Sequence, residues 1–234
     1  LRAYYQKWYR PDNQAIIVVG DVDVNHIEGQ IKALFGDIKV PANAPKVIPE
    51  KVPDNDQPIY VVEKDKEQQV DVIATMIKHD ATPDSAKNSM LYMVQNFIKG
   101  AVGSMLSSRY AELSQEPNCP YLQAGASYGE YLMSRTKDAF TIDMVPKTGQ
   151  LLQAYQAVLD EAKRVRDFGF TATEYERYKA NFMSGIETAY ANRNKMKNEQ
   201  FTGQYVGHFI SNEPIPSVEQ EYQIDKMLMP NIPL

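Results

Sequence analysis

The sequence is poor in the residues that usually carry chemistry. Its 234 residues include one cysteine (Cys119), one tryptophan (Trp8) and three histidines (His26, His79 and His208). A single cysteine excludes an internal disulfide framework and any cysteine-rich zinc site. The histidines lie more than fifty residues apart in the chain. None sits in His-x-x-x-His, His-Glu-x-x-His or His-x-x-Glu-His, the spacings that place two ligands on one helical turn. Basic charge is not in excess either. The 25 Lys and Arg stand against 30 Asp and Glu, a net charge of −5, which argues against a surface built to read phosphates. No apolar run approaches the roughly 20 residues that span a bilayer, and no basic segment followed by an apolar stretch opens the chain. Leu1 falls mid-pattern, so the chain reads as a piece of a longer polypeptide.

What is present suffices for one or two domains with a real core: 43% of residues are hydrophobic and 24% charged. The first forty residues read as helix, strand, helix. Leu1 to Tyr9 is a short aromatic helix stopped by Pro11 and Asn13. Ala15 to Val19 is a continuous apolar run bounded by Gly20-Asp21, the pattern of a buried strand. Asp23 or Asn25 can cap the helix that carries Ile27, Ile31, Leu34 and Phe35 on one face, and Gly36 ends it. Residues 39–58 hold Pro41, Pro45, Pro49, Pro53 and Pro58 with no apolar period, an extended linker.

Beyond the linker, Ile59 to Val62 and Val70 to Ile77 read as strands of a hairpin, joined by a charged turn over 63–69. A helix follows from Asp84 or Ser85, with Met90, Leu91, Val94, Phe97, Ile98 and Val102 as its apolar stripe. Gly100 and Gly103 loosen its end, and a second helix covers Leu106–Gln115. Tyr121 to Tyr128 and Asp138 to Val145 are strands, the latter alternating Phe140, Ile142 and Met144 with Thr141 and Asp143. Leu151, Leu152, Tyr155, Val158, Leu159, Ala162 and Val165 then trace an amphipathic helix ended by Gly169. Thr171 and Glu174 form a capping box that opens another helix, with Tyr175, Tyr178, Phe182 and Ile186 on one face. Further helix extends to about Asn212; Pro214 and Pro216 break it, and Val218–Leu228 is the last. The order β-β-α-α-β-β-α-α predicts an α+β fold, a mostly antiparallel sheet with helices packed on one face.

Motif by motif, the residues show no catalytic centre. Gly125-Ala-Ser127-Tyr-Gly129 matches Gly-x-Ser-x-Gly, but a strand continues where a nucleophile elbow needs a helix. The glycines fit a twisted or bulged strand instead. Gly100-Ala-Val-Gly103-Ser104 lacks the Gly-Lys-Ser/Thr of a phosphate loop. Cys119, between Asn118 and Pro120, reads as a plain loop cysteine. Asp160-Glu161 and Glu174/Glu176 are expected on solvated helix faces.

Three segments together resemble the insulinase/pitrilysin family of zinc peptidases, the inverzincins. The first runs from Leu1-Arg-Ala-Tyr-Tyr through Arg10-Pro-Asp-Asn13 and Val18-Val-Gly-Asp-Val-Asp23 to Leu34-Phe-Gly-Asp-Ile38. It is similar to the end of that family's zinc-binding domain. The second is Met105-Leu-Ser-Ser-Arg109-Tyr-Ala-Glu-Leu-Ser114 with Tyr121 seven residues on. The third is Asp167-Phe-Gly-Phe-Thr-Ala-Thr-Glu174-Tyr-Glu-Arg-Tyr-Lys179. The resemblance implies the metallohydrolase fold of mitochondrial processing peptidases. It also implies a division into residues 1–38, the end of a preceding zinc-binding-type domain; 39–58, the linker; and 59–234, a non-catalytic peptidase-family domain. The family's His-x-x-Glu-His helix and distal glutamate lie upstream of the segment matching Leu1, so no zinc ligand or catalytic residue carries over.

In the family's substrate-binding Arg/Tyr pair, Tyr121 matches the tyrosine, while Ser114 stands at the arginine position and cannot supply a guanidinium fork. Tyr121 is therefore the one candidate substrate-binding residue. For the parent protein, the resemblance implies zinc held by two histidines and a glutamate, activating water for peptide-bond hydrolysis. This chain would close the chamber over the peptide and would be inactive alone. The alternative is a scaffold domain in a relative that has lost its zinc motif. Implied partners are a peptide or unfolded polypeptide, the zinc-binding domain of the same parent, and, as an option, a second copy in a homo-oligomer. A bacterial periplasm or cell envelope is expected over the cytoplasm.

Overall fold

A computed structural model describes residues 1–234. Its helices are α1 (Arg2–Trp8), α2 (Val24–Phe35), a single turn α3 (Asp84–Lys87), α4 (Met90–Leu113), α5 (Leu151–Phe168), α6 (Ala172–Ala191), α7 (Asn198–Ser211) and α8 (Val218–Leu228). Its strands are β1 (Ile73–Asp80), β2 (Tyr121–Glu130) and β3 (Lys137–Pro146). They form one antiparallel sheet in the order β1-β3-β2. The fold class is α+β, as the order of elements predicts. No helix is long and apolar enough to cross a membrane.

Compactness divides the chain into two units. One comprises Leu1–Ile48 and Asn192–Pro216, the other Pro49–Ala191 and Ser217–Leu234. In the larger unit, the period of two along β2 and β3 sets the core. Thr75 and Ala126 both stand opposite Ile142, and Ala124 stands opposite Met144. Ala126, Ile142 and Met144 pack with Leu106 and Tyr110 of α4 and with Ala154 and Val158 of α5. A second cluster joins Phe97, Ala101 and Met105 of α4 to Tyr175 of α6 and to Met229. One long helix thus serves both clusters.

That helix corrects the expected break at its glycines. Gly100 and Gly103 lie inside α4, where each permits a close approach. A Cβ on Gly103 would stand 3.0 Å from the Ala126 carbonyl oxygen, and one on Gly100 would stand 2.9 Å from the Tyr178 hydroxyl. The buried stripe is also rotated from the expected one. Tyr92, Phe97, Ala101, Met105, Leu106 and Tyr110 are buried, whereas Met90, Leu91 and Ile98 are exposed. Ser89 caps the helix by accepting from the Tyr92 N–H at 3.2 Å.

Two expected strands have no ladder partner. Ala15–Val19 joins no ladder, and Ile59–Val62 is likewise outside the sheet, its side chains exposed. The expected hairpin therefore does not form, and β1 pairs with β3 instead. The 63–69 run has no two-residue Asn-Gly or Asp-Gly turn to hold its flanks in register. By contrast β3 offers eight consecutive partners to β1, from Ile73 opposite Met144 to Asp80 opposite Lys137.

Part of the proline-rich run is tied down. Thr136 Oγ1 accepts from the Val52 N–H at 3.2 Å and donates to the Glu50 carbonyl. The buried Lys137 ammonium holds Asp54 at 2.7 Å and Asp80 at 2.6 Å. In the smaller unit, Asp23 caps α2 by accepting from the His26 N–H at 2.9 Å. Arg10 is the one residue of that unit in the buried class, donating to Asp12 at 2.9 Å and to the Pro45 carbonyl at 2.8 Å.

Candidate functional site

The C-terminal half of α4 gathers the residues that the sequence singles out. Arg109 projects from it toward the loop between α5 and α6. Its Nε donates to Glu174 Oε1 at 2.5 Å and its Nη2 to Glu174 Oε2 at 2.8 Å, a bidentate fork. Its Nη1 donates to Glu161 Oε1 at 3.0 Å, Nη2 also reaches the Gly169 carbonyl at 3.3 Å, and the guanidinium lies 5.0 Å from the Phe170 ring centroid. Glu174 at the same time accepts from the backbone N–H of Thr171 at 2.7 Å and from its hydroxyl at 2.9 Å. The capping box read from the sequence is therefore one half of a larger latch. Hydrogen bonds from Arg109, and then those from Thr171, hold the Glu174 carboxyl down to about 2. The same carboxylates push the Arg109 pKa up.

Sequence reasoning missed this latch. Glu161 and Glu174 are not on solvated faces; their side chains are 7% and 16% exposed. A signal for Glu161 existed. Ala154, Val158, Glu161 and Val165 recur at helical spacing on the buried face of α5, and a carboxylate within such a stripe requires a cation.

Tyr121 opens β2 with its ring 1% exposed. Its hydroxyl donates to the Tyr110 carbonyl at 3.0 Å, and the Tyr110 hydroxyl donates to the Val158 carbonyl at 3.0 Å. Burial pushes both phenol pKa values up. A substrate contact from Tyr121 would require its hydroxyl to leave Tyr110. Ser114, at the C-cap of α4, donates to the Ala111 carbonyl at 2.7 Å. Cys119 is buried, with its thiol 3.6 Å from the Tyr121 carbonyl.

Ser127 lies in mid-strand opposite Thr141, not at a strand-to-helix elbow. On the neighbouring residue, Ser107 of α4 performs a structural task. Its hydroxyl accepts from the Ala126 N–H at 2.9 Å and donates to the Ala126 carbonyl at 3.1 Å, so both outward-facing backbone groups of Ala126 on the edge strand β2 are satisfied.

The donor set does not fit a zinc ion. No three His, Cys, Asp or Glu side chains converge on one point. His79 Nδ1 bonds the Asp80 carbonyl at 2.9 Å, and His208 Nδ1 bonds the Glu213 carbonyl at 2.8 Å. No hydrolytic step is therefore derived through a metal on these residues.

The sequence profile of the Peptidase M16 inactive domain matches residues 1–182. The chain belongs to this family. The M16 inactive domain described here is 26% identical over 99% of its length to the "Probable zinc protease PqqL" of Escherichia coli, of which it covers 24%. It is 24% identical, again over 99%, to the "Zinc protease PQQL-like" protein of Arabidopsis thaliana, covering 21% of it. It thus spans about a quarter or less of these curated relatives. Two of the solved structures that share its fold are the following. The first half of the periplasmic protease PqqL from Escherichia coli superposes with a TM-score of 0.76 at 21% identity, over 99% of this chain and 48% of that one. The "Predicted insulinase family protease from Yersinia pestis" superposes with a TM-score of 0.82 at 17% identity, over 100% of this chain and 49% of that one. The second and third of the family-like segments meet in three dimensions, because Arg109 belongs to one and Glu174 to the other.

Proposed function

We propose that this M16 inactive domain encloses peptide substrate in a larger zinc-dependent endopeptidase and takes no part in bond cleavage itself. The observation that carries this reading is the family match over residues 1–182, to an inactive domain whose curated relatives bear zinc-protease names and run to about four to five times this length. In this reading residues 1–38 are the end of a preceding zinc-binding-type domain, 39–58 the linker and 59–234 the non-catalytic domain. Zinc, water activation and the general base belong to that preceding domain. The partner is a peptide or unfolded polypeptide, and the compartment is the periplasm, by analogy with the Escherichia coli protease.

The domain's own contribution follows from its geometry. The α4–α5–α6 latch and the bonds from Ser107 to Ala126 tie helices to one another and to β2, and a wall confines an extended chain only if it does not itself yield. The test is cleavage of an unfolded polypeptide by the parent protein, by the parent lacking this domain, and by this chain alone. Chelator-sensitive cleavage is expected from the intact parent only. Chelator-sensitive cleavage by this chain with stoichiometric zinc would overturn the reading, and so would an unimpaired parent lacking the domain.

A further inference from the structure

Four charged residues of the chain are buried: Arg10, Lys137, Glu161 and Asp225. Three of them have an opposite charge at hand. Arg10 meets Asp12 at 2.9 Å, Lys137 meets Asp54 at 2.7 Å and Asp80 at 2.6 Å, and Glu161 meets Arg109 at 3.0 Å. Asp225 has none. Its carboxyl makes no hydrogen bond and no ion pair, although the residue is only 5% exposed. A carboxylate buried without a partner is costly, and the group avoids that cost by holding its proton.

Asp225 lies in an apolar seam. Val218, Tyr222, Asp225 and Met229 fall at i, i+4, i+7 and i+11, the inward stripe of α8. The helix packs on α6 and on the turn that follows it, Met229–Asn231. Met229 fills the cluster of Phe97, Ala101, Met105 and Tyr175. The titratable groups around the seam are engaged elsewhere. From α6, the Tyr175 hydroxyl donates to the Ile232 carbonyl at 2.6 Å and Lys179 Nζ to the Pro230 carbonyl at 3.3 Å. Tyr190 stacks on Tyr222 at 4.2 Å, and Glu187 draws Lys226. On α8, Lys226 Nζ donates to the Tyr222 hydroxyl at 3.2 Å, and Glu221, one turn before Asp225, adds a like charge. The turn Met229–Asn231 carries no titratable side chain. Burial, and then Glu221, push the Asp225 carboxyl up to about 6.

We propose that Asp225 is a pH-dependent catch: protonated, it seats α8 and the following 229–234 segment on α6, and ionised, it draws water into the seam and α8 lifts. Met229 lifts with the helix, and Phe97 and Tyr175 lose their cover. The sense follows from the raised carboxyl. Closure of the seam is favoured in full below the ordinary value of 3.8, and this advantage is lost as pH rises toward 6. Glu174, at the start of α6, acts in the opposite sense, its advantage fading as pH falls from about 4.5 toward 2. The two carboxyls thus bracket a mildly acidic range in which α6 is held from both sides. The catch goes beyond the function proposed above and does not depend on it.

Hydrogen exchange of the α8 amides in the full chain, taken relative to α4 amides at each pH, reads the catch between pH 4.5 and 7.5. Opening of α8 is expected to rise roughly tenfold or more over that range. Asp225→Asn keeps the shape and cannot ionise, so its α8 should stay equally closed throughout. The three histidines titrate in the same range, but they lie on α2, β1 and α7, and a response driven by them would persist in Asp225→Asn. An α8 whose opening does not change with pH in the native chain overturns the catch, and so does a rise that the variant retains. Carbon-13 NMR titration of the Asp225 carboxyl reads the same proton in the unsubstituted chain, should the variant fail to fold. A midpoint near 6 that coincides with α8 opening supports the catch, and a midpoint near 3.8 overturns it.

Discussion

Replacing Glu174 by glutamine removes one charge from the α4–α5–α6 latch and leaves its shape. In the native chain Glu174 accepts two hydrogen bonds from Arg109 and two from Thr171, and its side chain is 16% exposed. The folded carboxyl titrates at about 2, lowered from an ordinary value of 4.5. A depressed folded value means that the charge stabilises the fold above the unfolded value, and that this stability fades as pH falls from about 4.5 toward 2. Taken over the whole shift, the linkage is at most roughly 3 kcal/mol. Breaking a buried pair by removing one partner costs about 3–5 kcal/mol, but here Glu161 still neutralises Arg109 and a Gln oxygen still accepts, so about 2–3 kcal/mol is expected at pH 7. Urea unfolding followed by far-ultraviolet circular dichroism at pH 7 and pH 2.5 measures it. The native chain should lose most of its advantage over Glu174→Gln at the lower pH. A difference below about 0.5 kcal/mol at pH 7, the range of ordinary surface changes, or one unchanged at pH 2.5, would refute the latch.

Alanine at the two α4 glycines should act in different measure. An alanine normally gains about 1 kcal/mol over glycine inside a helix. At Gly103 the new methyl meets the backbone carbonyl of Ala126, which cannot yield, so a net loss of about 1–3 kcal/mol is expected in the same unfolding assay. At Gly100 it meets the end of the Tyr178 side chain, which can swing, so the loss should be smaller than at Gly103. Ser107→Ala should cost about 1–3 kcal/mol by leaving both backbone groups of Ala126 without their partner. It should also raise the aggregation rate, read by light scattering, because it frees an N–H and a carbonyl on the β2 edge. Tyr121→Phe should cost about 1 kcal/mol through the lost bond to the Tyr110 carbonyl.

Where local rules decide the outcome, the sequence was readable. The alternation in β3, the capping box at Thr171 and Glu174, and the stops at Gly169 and Pro214 all appear in the fold because each depends on a few neighbouring residues. The expected strands at Ala15–Val19 and Ile59–Val62 have the right composition and no ladder, since a strand exists only with a partner and composition does not choose one. The break at Gly100 and Gly103 was a misreading of a different kind. Glycine inside a helix costs stability locally, so its presence suggests an end, yet here the gain lies in what approaches from outside, the β2 backbone and Tyr178. No single-segment pattern contains that information.

The same distinction explains how the family was legible when no site was. Arg109 and Glu174 sit in two separate family-like segments 65 residues apart, and their bidentate pair joins those segments directly. Tyr121 is likewise spent on the backbone of α4, and the thiol of Cys119 faces the backbone of Tyr121. The resemblance therefore includes residues that hold the helices to one another and to the sheet. A domain whose distinguishing residues are committed to its own rigidity can retain its family pattern without any ligand for zinc. In the role proposed above, any effect of this domain on cleavage passes through the surfaces it presents rather than through a group that touches the reacting bond.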